Sequence, residues 1–435
     1  MTDSKKLRAI DYQRTPMRIL NSALRGASAF GVARFDLNPA ALIATARKDT
    51  GLSDFGEESF LAPMELLVQS LENEADLNPL AQFMSKSSIL RLLKGRLYAQ
   101  DLIKRHPEIL ERSLPDPVAI VGLARSGTTR LHRLMASDSH FLHLKSWESV
   151  YPVPSPECFT ARREGKVDPR ITAVEMGLKA VLYMSPQIAA VHPLDTYEVE
   201  EEIGLIQHGF STQLFEVQAK IPTFAEWLMT HNQTAAYEHM VLLLKIISWF
   251  RNDPEDKPWL LKSPQHMQDL DALLQVFPNA KLICPHRDPV KVVGSSCSMV
   301  WNSIVRDTAT VTPEWVGQEW LRKTERMLQK SLQVRTASVP EQNQYDVLYA
   351  DITADWELAI QGIYDFLGMT FSPDTRVAMQ SWLDTNQQHQ HGAHKYSLTD
   401  FGLAPEEVEQ RLMFYRKRFN IPFEARNPHL VTATN

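Results

Sequence analysis

A chain of 435 residues with 44% hydrophobic residues can bury a large core and is long enough for two or three domains. Its formal net charge of -6, from 46 basic and 52 acidic side chains, argues against a nucleic-acid protein, which would show a basic excess or stripe. The three cysteines, Cys158, Cys284 and Cys297, are scattered and form no CxxC pair, which argues against a disulfide framework or a zinc ribbon and makes a reducing cytoplasm the expected compartment.

The first residues carry basic side chains but no apolar core of signal-peptide length. The most apolar later window, Met240 to Phe250, is too short to span a bilayer and contains Lys245. Residues 1–115 show helical periodicity, with Met64, Leu67, Val68 and Leu71 on one face and Ile89, Leu90, Leu92, Leu93 and Leu97 on another. They are expected to form a helical N-terminal region that packs on the core or covers its mouth. Pro107 and the segment Ser113 to Pro117 mark the turn into a first strand.

Residues 116–435 are expected to form the main domain. Val118, Ala119, Ile120 and Val121 read as a short buried strand, and Leu131, Leu134 and Met135 then repeat at helical spacing. The loop between them points backbone N–H groups and a helix N-terminus at one spot, which suits an anion. Gly122 and Gly127 keep Walker A spacing, but Thr128 and Thr129 follow where an NTPase has its lysine and hydroxyl. The cation sits inside the loop instead, at Arg125, beside Ser126. Such a loop fits one terminal phosphate or sulfate better than a triphosphate with its metal.

His140 to Lys145 reads as the next strand, with Glu148 at its exit before prolines 152, 154 and 156; reactive side chains commonly sit at such strand ends. Residues 161–250 look mostly helical and are expected to build an acceptor pocket. The acidic cluster Glu198, Glu200, Glu201 and Glu202 reads as a solvated helix start. Trp259 to Leu261 then forms a strand that ends at Lys262, followed by an amphipathic helix from Met267 to Phe277 and a strand from Lys281 to Cys284, a right-handed parallel crossover. Arg287 leaves that strand, and Ser295 lies eight positions on. Val347 to Ala350 reads as a further strand, followed by a helix that closes at Gly368. The fold class is therefore α/β, a P-loop-type parallel sheet flanked by helices, with a helical N-terminal region and helical insertions. His389, His391 and His394 match no metal-ligand spacing and read as loop histidines.

Arg125-Ser126-Gly127-Thr128-Thr129 resembles the 5′-phosphosulfate loop of the 3′-phosphoadenylyl sulfate (PAPS) dependent sulfotransferases, and the likeness to a bacterial branch of that family runs from about residue 50 to 420. It includes Trp147-Glu148, the run from Leu261 to His266, and His286-Arg287-Asp288-Pro289. The resemblance implies PAPS as donor without a metal, and a small or lipid-like acceptor. It implies that Arg287 and Ser295 bind the 3′-phosphate, that Lys262 stabilises the transition state, that Tyr349 approaches the adenine, and that Lys395 or Tyr396 completes the phosphate site. Glu148 is the first candidate for the base that takes the acceptor's proton, and His266 the second, since Pro264 stands where many cytosolic members carry a histidine. Two competing functions are a P-loop kinase, whose Mg²⁺-binding acid would have to be Asp351, and a nucleotide-binding protein without turnover.

Overall fold

The structure is a computed structural model, described here over residues 7–29, 37–188, 195–386 and 396–424. Six strands occur among these residues: β1 (Val118–Ile120), β2 (Leu144–Lys145), β3 (Val199–Glu200), β4 (Leu260–Lys262), β5 (Lys281–His286) and β6 (Gln344–Leu348). Four of them make a sheet in the order β4-β1-β5-β6, and every neighbouring pair is parallel. β1 and β4 are buried at all positions, as continuous apolar runs covered on both faces must be. β1 lies between β4 and β5, so the chain crosses over β1 through a 3₁₀ turn (Pro264–Met267) and the helix Leu270–Val276. That helix is shorter than its apolar pattern suggests, because Ser263 caps the 3₁₀ turn that precedes it.

Two strand expectations are corrected. Of His140 to Lys145, the start is a turn in which the Asp138 carboxylate accepts the His140 N–H, Leu142 makes a single parallel bridge to Trp259 beside β4, and Leu144–Lys145 pairs antiparallel with β3. Glu148 therefore lies in the short helix Ser146–Val150, not at the exit of a main-sheet strand. β6 ends at Leu348, so Tyr349 opens the helix Tyr349–Ala354, whose first turn holds Asp351 where the helix dipole favours an acid.

The N-terminal part is helical, with Pro39–Thr50, Leu61–Asn73 and Pro79–Arg105 as its main elements. Prolines at the helix starts behind the side-chain caps Asn38 and Asn78 fix two of these helices. Their apolar faces, including Leu42, Met64, Leu67, Leu92 and Leu97, share one core with Phe210, Phe215, Phe224 and Leu228 from the middle of the chain. The N-terminal helices thus pack on the segment expected to form the acceptor pocket. Among the described residues no helix is long and apolar enough to cross a membrane.

Candidate active site

The loop after β1 takes the shape an anion cradle requires. Arg125 has φ 70° and Gly127 φ 89°, both left-handed. For a non-glycine residue this conformation costs on the order of 1 kcal/mol and is characteristic of functional turns. A Cβ on Gly127 would also lie 2.6 Å from the Tyr349 ring, so the position needs glycine for space as well as conformation. The helix Thr128–Met135 starts directly after it and aims its N-terminus at the loop. Ser126 is buried, and its hydroxyl donates to the Leu123 carbonyl at 2.7 Å. Its side chain braces the loop instead of facing outward.

The second clamp meets this loop directly. Arg287, at the exit of β5, donates from Nη1 to the carbonyl of Arg125 at 3.1 Å, and Arg125 donates from Nε to the Ser295 hydroxyl at 2.9 Å. Ser295 lies in the helix Pro289–Ile304, capped by Asp288. Arg287 stacks on Tyr349, its guanidinium carbon 4.1 Å from the ring centroid, and forms a bidentate pair with Glu424 at 2.8 and 2.9 Å. Burial works to lower the Arg287 pKa, but the hydrogen bond it donates to Glu424 leaves it raised. Burial lowers the Arg125 pKa, with Arg287 adding to the effect. Tyr396 covers Gly294, where a Cβ would come within 2.8 Å of its ring, and donates to the Lys291 carbonyl at 3.3 Å. Lys395 and the three loop histidines lie outside the described residues.

Lys262 ends β4 and is 1% exposed. Its ammonium donates to the Thr129 hydroxyl at 3.1 Å and pairs with the Glu201 carboxylate. Its backbone N–H donates to Glu202 Oε2 at 2.9 Å, and Glu202 Oε1 lies 2.5 Å from His266 Nε2. His266 is 0% exposed, and its Nδ1 lies 2.9 Å from the Tyr237 hydroxyl. Burial acts to raise the Glu202 pKa, yet His266 and the Lys262 N–H leave it lowered. The acidic cluster is therefore not a solvated helix start: two of its glutamates are built into the lysine's surroundings.

Glu148 stands elsewhere. It is 2% exposed, and its carboxylate forms a bidentate pair with Arg251 while accepting the Lys145 N–H at 2.9 Å. Burial acts to lower the Arg251 pKa, and Glu148 raises it overall. Both candidate bases from the sequence are thus enclosed, Glu148 by a cation and His266 by a carboxylate and a phenol.

A cavity of about 570 Å³ opens beside the loop. Arg125, Thr128, Thr129 and Glu201 line its head, whereas Leu67, Leu71, Ala81 and Met84 from the N-terminal helices and Leu214 and Phe215 from the middle line its body. Neither Glu148 nor His266 is on its wall. Asp351, the acid a kinase would need, is exposed on its helix. Among the described residues no group of three or more His, Cys, Asp or Glu side chains is arranged to hold a metal ion.

Sequence reasoning missed the surroundings that Glu201, Glu202 and Glu424 give to Lys262 and Arg287.

A parallel sheet whose first loop has the shape of an anion cradle, with a second arginine and an apolar cavity beside it, is a P-loop-type α/β architecture. The chain belongs to the Sulfotransferase family, whose family model matches residues 117–373. It is similar over 86% of its length to sulfotransferase STF1 from Mycobacterium tuberculosis H37Rv, at 28% identity, covering 97% of that chain with a TM-score of 0.71. Sulfotransferase STF9 from Mycobacterium avium shares the fold at 23% identity, with 88% and 97% of the two chains covered and a TM-score of 0.78. No curated protein sequence matches the chain.

Proposed function

We propose that the protein transfers a sulfuryl group from PAPS to a hydroxyl or amine of a small or lipid-like acceptor, without a metal. The observation that carries this reading is the position of Arg125. Its guanidinium meets Ser295 and its carbonyl meets Arg287 on one side, while the same residue lines the apolar cavity on the other. A donor with phosphate at one end and phosphosulfate at the other fits two adjoining cationic clamps, and the acceptor fits the cavity beyond them.

Within this reading Arg287 and Ser295 hold the 3′-phosphate, with Tyr396 and Lys395 as further contributors, and Tyr349 lies along the nucleoside. The loop amides, Thr128 and Thr129 hold the phosphosulfate, and Ser126 keeps the loop in shape. Sulfuryl transfer is an in-line displacement, so its catalysis rests on positioning and on neutralising charge at the bridging and equatorial oxygens. Arg125 and Lys262 supply that positive charge from within a partly water-excluded site, where it acts more strongly than in water.

Transfer of ³⁵S from labelled PAPS to a panel of phenols, sterols and hydroxylated lipids tests this. Label is expected on at least one apolar alcohol or phenol. Stable donor binding with no transfer to any acceptor or to water would instead favour a binding protein without turnover.

A further inference from the structure

We infer that Glu201 takes the proton from the acceptor, and that the acceptor is an uncharged alcohol or phenol with an apolar body; this rests on the proposed sulfuryl transfer. A general base must lie within hydrogen-bond reach of the proton it removes, in the space the acceptor occupies. Glu201 lines the cavity beside Thr129 and pairs with the ammonium of Lys262. Of the neighbouring carboxylates, Glu200 also lines the cavity and accepts the Glu201 N–H at 2.9 Å, whereas Glu201 is the one set against the Lys262 ammonium; Glu202 holds His266 and the Lys262 N–H, and Glu148 is bound to Arg251 away from the cavity.

The Glu201 backbone is fixed as a catalytic group requires. It follows β3, which pairs with β2, and its carbonyl accepts from the Ser149 hydroxyl at 2.6 Å. Gly204 lets Ser149 approach this closely, since a Cβ there would lie 2.3 Å from the Ser149 hydroxyl oxygen.

Proton and charge balance as follows. As the acceptor oxygen bonds to sulfur, its proton passes to a Glu201 carboxylate oxygen. The bond from sulfur to the bridging oxygen of the donor breaks, and its electron pair leaves with the 5′-phosphate of adenosine 3′,5′-bisphosphate, where Arg125 and Lys262 meet the added negative charge. The cavity body explains the acceptor class: apolar walls from the N-terminal helices accept a hydrocarbon body, and a protonated amine has no free electron pair with which to attack sulfur.

The test measures release of adenosine 3′,5′-bisphosphate from PAPS with 1-decanol, p-nitrophenol or decylamine as acceptor, and with water alone. Glu201→Gln is expected to lower kcat on the order of 10²-fold with every acceptor, water included, while bisphosphate affinity stays within about threefold. Glu201→Asp should recover part of the rate, and the acid limb of the kcat profile against pH should disappear in Glu201→Gln. A Glu201→Gln rate within about threefold of the wild type, with that limb intact, would overturn the assignment. Decylamine outpacing both hydroxyl probes, or neither hydroxyl probe exceeding water, would overturn the acceptor class. Absence of bisphosphate binding by the wild-type protein would instead remove the underlying sulfotransferase reading.

Discussion

Arg287 donates a hydrogen bond from its side chain to the main-chain carbonyl of Arg125 at 3.1 Å. Two motifs 162 residues apart in the chain are thereby joined into one cationic surface. β5 lies beside β1 in the sheet, and the residues that leave their C-terminal ends must meet. The two like charges are held close together, and Arg287 adds to the burial that lowers the Arg125 pKa.

Arg287→Ala should weaken binding of adenosine 3′,5′-bisphosphate on the order of 10²-fold, the loss expected when charge-assisted hydrogen bonds worth about 1.5–3 kcal/mol each are removed. Isothermal titration reads this. The substitution also strips Glu424 of its partner. Arg287→Lys, which keeps the charge but not the fork, should recover only part of the affinity. Unchanged affinity in Arg287→Ala would remove Arg287 from the donor site.

Gly127→Ala should abolish donor binding while leaving the bulk of the fold intact. The added Cβ is forced into a left-handed backbone and against Tyr349, so the loop or the tyrosine must move. Circular dichroism should stay near wild type, and bisphosphate should no longer raise the Tm. Full protection by the ligand would show that the loop tolerates the change.

Glu148 and Arg251 should behave as a structural pair. Breaking a buried ion pair by removing one partner costs about 3–5 kcal/mol, because the other charge stays buried. Glu148→Gln should therefore lower the urea midpoint. With Arg251→Met in the same chain, the loss should be smaller than the sum of the two single losses. Additive losses, or a collapse of kcat in Glu148→Gln at unchanged stability, would return Glu148 to the chemistry.

Stability should fall as pH drops below about 6.5, where free imidazole begins to charge. Burial, with the nearby Lys262 ammonium adding to it, pushes the His132 pKa down to about 3, and burial with Arg251 pushes His143 down to about 4. Burial also lowers His208, His239 and His286. The unfolded chain binds protons on the His132 and His143 rings from about pH 6.5 downward, while the folded chain holds these two neutral well below that. Each therefore withdraws about 1.4 kcal/mol of stability per pH unit until its folded pKa is reached. Urea midpoints should decline between pH 7 and 5, less steeply in His132→Gln. A flat profile over that range would contradict the neutral, buried assignments.

The parts legible in the sequence were local. β1 and its loop show because an apolar run, a glycine spacing and a helical period follow one another within about twenty positions. The Arg287 and Ser295 pair was named from the resemblance to the sulfotransferases, and its spacing corresponds to a strand exit followed by two helical turns. Glu201 was invisible because its partner Lys262 lies 61 residues away, and Arg251 stands 103 residues from Glu148. A contact between distant elements leaves no period in either. The acidic cluster misled for a related reason. A run of glutamates usually faces water, but here each is directed differently by the short strand β3 and the turn after it.

Titration of adenosine 3′,5′-bisphosphate into the wild-type protein and into Arg125→Ala and Arg287→Ala, all without magnesium, is the most direct measurement. Binding is predicted in the wild type, with marked weakening in each variant, and ATP should not substitute for the bisphosphate. Tight binding of ATP that requires magnesium, with the bisphosphate inert, would contradict a site in which the two arginines grip one sulfuryl donor.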